Sequence, residues 1–278
     1  MDQTIAFLGA GSMAEAMIAG IVQSKKLSPH QIIVSNRSNH NRLQELKYTY
    51  GIRPVPRNNL DLNEVDTIIL AMKPKDIERV MEELQQDLKD HHTLVSILAG
   101  IPTSVIEQYL PAGQPVVRVM PNTSSTLQAS ATAISSGTYT TTSHVESVRY
   151  LMDSIGATFL IPEEQMDIFT GIAGSGPAYL YHLMEHMELI GEEQGLDRET
   201  AREIGAQTML GAARMVLESD VSPTQLRENV TSPNGTTAAG LDALYRHRGG
   251  EAMAEAARSA AKRSEQLRTK AIQQAVRV

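Results

Sequence analysis

Gly9-Ala10-Gly11-Ser12-Met13-Ala14 stands between a short apolar run, Thr4-Ile-Ala-Phe-Leu8, and an apolar-periodic segment that reaches Ser24. No other stretch restricts the fold as much. The run before it is uniformly apolar and bounded by glycine, as in a strand buried on both faces. The segment after it places Met13, Ala16, Met17, Gly20 and Ile21 on one side of a helix. A glycine turn joining such a strand to such a helix is the dinucleotide fingerprint. Gly9 makes the tight turn, Gly11 admits a pyrophosphate, and the small Ala14 lets helix and strand pack closely.

The alternation continues. Residues 32–35, 67–71, 93–97, 114–119, 131–134 and 157–161 read as strands, with helices over 39–50, 76–88, 103–110 and 146–154. Apolar strands separated by helices predict a doubly wound parallel sheet of the Rossmann-like α/β kind. After Pro162 the strands stop, and residues 167–170, 177–194, 198–219, 223–229, 236–246 and 251 onward all read as helices. We expect a dinucleotide-binding domain over 1–162 and an all-helical domain over 163–278. The long apolar helix over 178–190 carries more greasy surface than one small domain hides, which predicts packing against a second copy of the chain.

Composition excludes several classes. A net charge of −7 argues against a nucleic-acid or acidic-membrane binder. The absence of an 18-residue apolar run or a basic leader predicts a cytoplasmic chain with no membrane span. With no cysteine there is no disulfide, thiolate metal site or cysteine nucleophile. His182-Leu-Met-Glu185-His186 has the order of an inverted zinc motif, but it lies in an apolar helix without a clear third ligand. We read it as a core or interface pair and expect no metal. None of the tyrosines has a lysine four residues later, as a short-chain reductase would need.

At the end of the second strand, where an acid would hold a ribose 2′-hydroxyl, stands Ser35-Asn36-Arg37. Arg37 has a planar fork suited to a 2′-phosphate, which favours NADPH, with NADH as the weaker alternative. Late in the chain, Ser232-Pro-Asn-Gly235-Thr236-Thr237 opens an apolar helix, and no charged side chain occurs from Ser232 to Leu241. The first N–H groups of a helix lack intrahelical partners, and its dipole favours an anion there. Ser232, Thr236 and Thr237 add hydroxyls at the same spot.

Together these stretches resemble the pyrroline-5-carboxylate reductase family, with the greatest likeness to its bacterial proline-biosynthetic members. The likeness is carried by Phe7-Leu-Gly-Ala-Gly-Ser-Met13, Ala71-Met-Lys-Pro74, Val119-Met-Pro-Asn-Thr123, Gly171-Ile-Ala-Gly-Ser-Gly-Pro-Ala-Tyr179 and Leu226-Arg-Glu-Asn-Val-Thr-Ser-Pro-Asn-Gly-Thr-Thr237. The resemblance implies NAD(P)H-dependent reduction of 1-pyrroline-5-carboxylate to L-proline, the last step of proline synthesis. It implies that Leu8, Gly9, Ala10, Gly11, Ser12 and Met13 cradle the cofactor pyrophosphate, with Ser35, Arg37 and Asn58 at the adenosine end. Ala71, Met72, Lys73, Pro74, Ile97, Leu98 and Ala99 would line the cofactor cleft, and Asn229 would meet the nicotinamide side. Ser232, Gly235, Thr236 and Thr237 would hold the substrate, with Glu163 nearby and Thr237 as the catalytic hydroxyl. Homodimers, and in some members decamers, are implied as well. Two alternatives stay open: a reductase of another cyclic imine acid, and a catalytically silent cofactor-binding relative.

Overall fold

The computed structural model describes residues 3–275. By backbone contacts the chain forms two compact units. One comprises the chain up to Ser175 and the stretch from Ser259 on; the other is Gly176–Arg258.

The first unit is built on an eight-stranded sheet: β1 (Ile5–Leu8), β2 (Ile32–Asn36), β3 (Arg53–Pro56), β4 (Thr67–Leu70), β5 (Thr93–Ser96), β6 (Val116–Met120), β7 (Ser130–Ser136) and β8 (Gly156–Leu160). The strand order is β3-β2-β1-β4-β5-β6-β7-β8. Successive side chains of a strand point to opposite faces, and this sheet is apolar on both. Ile5, Phe7, Ile32, Val34, Ile69 and Val95 pack with α1 (Ser12–Ser24), α2 (His40–Tyr50) and α5 (Thr142–Met152). Ala6, Leu8, Ile33, Ile68, Leu70 and Leu94 pack with α3 (Ile77–Leu84) and α4 (Thr103–Glu107) on the other side. The doubly wound α/β expectation therefore holds.

Three features depart from the sequence reading. β3 was not expected, because Arg53-Pro54-Val55-Pro56 holds two prolines; as an edge strand it pairs only with β2, so missing N–H groups are tolerated. β7 runs antiparallel to β6, with β8 parallel to β7. The β6–β7 connection, residues 121–129, is too short for the crossover that a parallel pair requires. The helix expected over 76–88 is regular only over Ile77–Leu84.

The compact units also do not coincide with the expected division at 162. α6 (Met166–Phe169) and the π-helical turn that follows it (Thr170–Gly174) belong with the sheet. So does the latter part of α11 (Gly249–Ala275). Buried Asp167 explains this: it accepts hydrogen bonds from Ser264 Oγ (2.7 Å) and Arg268 Nε (2.8 Å), while Ala271 and Ala275 join the α3 and α4 core.

The helical unit contains α7 (Gly176–Glu193), α8 (Arg198–Glu218), α9 (Pro223–Asn229), α10 (Thr236–Arg246) and the start of α11. α7 and α8 pack against each other, with Gly205 set against Met187.

Candidate active site

Strand order reverses between β1 and β4, so the connections on either side leave in opposite directions and open a crevice at the strands' carboxyl ends. A cleft of about 710 Å³ lies there, lined by residues 8–14 after β1, 35–39 after β2 and 71–76 after β4. Gly9 has φ +128° and donates its N–H to Ser35 O (2.9 Å); a Cβ there would collide with the Ala71 carbonyl. Gly11 caps α1 without a side-chain bond, and a Cβ on it would meet nothing within 4 Å, so the space above this turn is open. The N–H groups of Ser12, Met13 and Ala14 lack intrahelical acceptors, as at every helix start. Ala14 is buried in the α1 core, as the fingerprint requires.

The structure thus brings Leu8, Gly9, Ala10, Gly11, Ser12, Met13, Ser35, Arg37, Ala71, Met72, Lys73 and Pro74 to one cleft. Ser35 Oγ is buried there without a hydrogen-bond partner among the described residues. Open space over Gly11, free amides and this idle hydroxyl fit a phosphate-bearing dinucleotide. The turn after β3 contributes Arg57 to the cleft, whereas Asn58 lines a separate hollow with Asp61 and Lys89. Ile97, Leu98 and Ala99 follow β5 outside the lining of the main cleft; Ile97 N–H reaches Leu70 O (3.2 Å), Leu98 is buried and Ala99 exposed.

In the helical unit, Ser232-Pro-Asn-Gly235 forms a turn of type II pattern. Proline is second, Asn234 is third with φ +59°, and Gly235 N–H returns to Ser232 O at 3.1 Å. Gly235 itself has an ordinary φ of −82°. A Cβ there would meet Ser232 Oγ, which would have to rotate away, and would press on the Ser232 carbonyl. Gly235 then caps α10 with no side-chain bond, leaving the amides of Thr236, Thr237 and Ala238 without intrahelical acceptors. Ser232, Thr236 and Thr237 are exposed, and their hydroxyls have no partner among the described residues. Asn229 belongs to this same unit, at the end of α9, where its Oδ1 accepts from Gln225 (3.0 Å).

Glu163 belongs to the sheet-bearing unit. Its carboxylate accepts from Thr103 N (2.9 Å), Thr103 Oγ1 (2.7 Å) and Arg118 Nη1 (3.1 Å). Arg118 is fully buried, and two of its nitrogens have no partner among the described residues. Sequence reasoning did not foresee this use of Glu163, since nothing in the linear order connects residues 103, 118 and 163. His182 and His186, expected as a core or interface pair, are exposed in the single chain with rings 4.6 Å apart; His182 Nδ1 stands 3.5 Å from Glu185. Among the described residues no helix is long and apolar enough to cross a membrane.

The chain is similar to known proteins. The family model for pyrroline-5-carboxylate reductase dimerisation matches residues 163–267, and that for NADP oxidoreductase, coenzyme F420-dependent, matches 4–100. Pyrroline-5-carboxylate reductase 1 of Bacillus subtilis is 54% identical over 96% of this chain and 90% of its own length. A solved pyrroline-5-carboxylate reductase from Coxiella burnetii superposes with a TM-score of 0.86 at 32% identity, covering 96% of this chain and 99% of that one. The Plasmodium falciparum pyrroline carboxylate reductase, solved with NADP bound, also gives 0.86, at 26% identity over 96% and 98%. With 54% identity along nearly its whole length to such an enzyme, the chain belongs to the pyrroline-5-carboxylate reductase family.

Proposed function

We propose that this chain reduces 1-pyrroline-5-carboxylate to L-proline with NADPH, the last step of proline synthesis, in the cytoplasm. The observation that carries this reading is the Ser232–Thr237 turn: free amides and three idle hydroxyls with no charge among them, suited to a small carboxylate and a ring nitrogen. Reducing a ketone creates an alkoxide and needs a positioned acid. A cyclic imine does not, because its nitrogen already carries the proton and hydride addition to the imine carbon quenches that charge. The chain therefore has to hold, orient and exclude water rather than deliver a proton.

In this reading the dihydronicotinamide, when bound, supplies the hydride. Residues 8–13 hold the pyrophosphate, Ser35 and Arg37 the adenosine end, and Ala71, Met72, Lys73 and Pro74 the remaining cofactor surface of the cleft. The amides after Gly235 seat the substrate carboxylate, aided by Ser232; Thr236 contributes its backbone N–H. Thr237 Oγ1 hydrogen-bonds the ring nitrogen and orients it. The preference for NADPH over NADH rests on Arg37 at the end of β2. Residues 163–278 provide substrate binding and a homodimer.

The test is loss of NADPH absorbance with the five-membered imine acid, run beside NADH and the six-membered homologue. Thr237→Ala is expected to lower turnover about ten- to a thousandfold, the loss of one or two positioning interactions. Wild-type turnover in that variant removes Thr237 from the mechanism. Arg37→Glu is expected to reverse the cofactor preference, and a variant that still prefers NADPH refutes the assignment.

A further inference from the structure

The cofactor cleft holds a cation that the sequence reading passes over. β2 and β3 run parallel, with Ser35 opposite Val55 and Asn36 opposite Pro56. Arg37 and Arg57 are the first residues beyond these strands, so they leave adjacent strand ends, where neighbouring strands lie about 4.8 Å apart. Both line the cleft.

They differ in surroundings. Arg37 is exposed and has no partner among the described residues. The Arg57 side chain is mostly covered; its Nε donates to Glu83 (3.3 Å), and its Nη1 is sealed from solvent with no partner among the described residues. Burial pushes its pKa below the usual arginine value. Glu83 does not balance it alone, because the same carboxylate accepts from Arg79 Nη1 at 2.9 Å. A largely covered guanidinium with a shared counter-ion is incompletely balanced, and the part of it that borders the cleft can meet an anion there. The cleft's remaining charge points the same way: Arg42, Lys73, Lys75 and Arg79 line it against one acid, Asp76. Arg42 is already engaged by Glu15, Glu45 and the Ala10 carbonyl, and Arg79 by Glu83 and Asp76.

We propose that Arg57 is a second specificity-determining residue, meeting with Arg37 the 2′-phosphate on the adenosine ribose while Glu83 positions its guanidinium. This rests on the NADPH reading above and adds to it a residue the reading lacks. A planar fork beside Arg37 supplies charge-assisted hydrogen bonds that a 2′-hydroxyl cannot reward equally.

Calorimetric titration of 2′-phospho-ADP-ribose and ADP-ribose tests this without turnover. The wild type is expected to bind the phosphorylated fragment more tightly. Arg57→Gln should lower the ratio of the two affinities by about tenfold, the loss of one charge-assisted contact. Arg57→Lys, which keeps the charge but not the fork, should lower it two- to fivefold by roughly the same reasoning, and serves alone if the glutamine variant fails to fold. A variant that weakens both fragments equally, or keeps the wild-type ratio, overturns the inference while the Arg37 assignment stands. A wild type that does not distinguish the fragments overturns this inference and the NADPH reading together.

Discussion

In the sheet-bearing unit every residue of Ile5–Leu8, Thr67–Leu70 and Thr93–Ser96 is buried. In the helical unit Leu180, Leu183, Met187 and Ile190 form a stripe along α7 that is exposed, and Ile204, Leu210 and Met215 are exposed on α8. The contrast teaches where each unit finds its stability. A sheet covered on both faces by helices supplies its own interior. Two long helices with a few short ones do not, and contiguous apolar surface of this kind calls for a partner. The dimer proposed above answers that need.

The two units also neutralise arginines differently. Glu163 faces Arg118, which has no solvent to fall back on; Glu188 is covered by Arg198 and Arg202, whose own side chains are mostly exposed. Removing one partner of a buried pair leaves an uncompensated charge, whereas exposed arginines are rehydrated.

The contrast is broken most sharply by Glu163→Ala, expected to cost about 3 kcal/mol or more by denaturant unfolding, with the Arg118 charge left stranded. A loss no larger than that of Glu188→Ala would erase the distinction. Next in size, Leu183→Arg with Ile190→Arg is expected to weaken self-association by at least about 2 kcal/mol, roughly thirtyfold in dissociation constant, by sedimentation velocity. A double variant that remains dimeric at wild-type concentrations would move the interface elsewhere.

The smallest effect is on acid sensitivity, and it sharpens the comparison. His92, in the sheet unit, is fully buried; its Nδ1 accepts from Lys89 N (2.8 Å) and its Nε2 donates to Leu62 O (2.9 Å), which suits the neutral ring. Burial lowers its pKa below the ordinary 6.5. The unfolded chain then takes up the proton first, so this contribution is whole above pH 6.5 and declines as pH falls below it. Hydrogen bonds from Arg202 and Arg198 hold Glu188 at about 2 against an ordinary 4.5. Its contribution is whole above pH 4.5 and is lost as pH falls toward 2. Hydrogen exchange across pH 7 to 3 should therefore show α7 and α8 holding protection that the segment around His92 has begun to lose. His92→Gln should flatten the upper limb, and Glu188→Gln the lower.

Much of this architecture was legible because it rests on local chemistry. The strand–glycine–helix start shows itself in residues 4–24, since each part is specified by its neighbours. The Ser232–Thr237 turn is likewise written in consecutive residues. Three things were not legible, for three physical reasons. β3 hides behind Pro54 and Pro56, which an edge position excuses. The pairing of Arg37 with Arg57 exists only once β2 and β3 are in register. Asp167 finds Ser264 and Arg268 across most of the helical unit's sequence, and no periodicity announces such a contact.

That last tie constrains how the protein is made. Ser264 and Arg268 bond Asp167, Leu267 closes against Gly100, and Ala271 and Ala275 complete the core beneath β4 and β5. A ribosome delivers these groups only after all of α7 to α10 has left the exit tunnel. The nucleotide-binding half, though begun first, is sealed last, and until then the nascent chain keeps one flank of its sheet open.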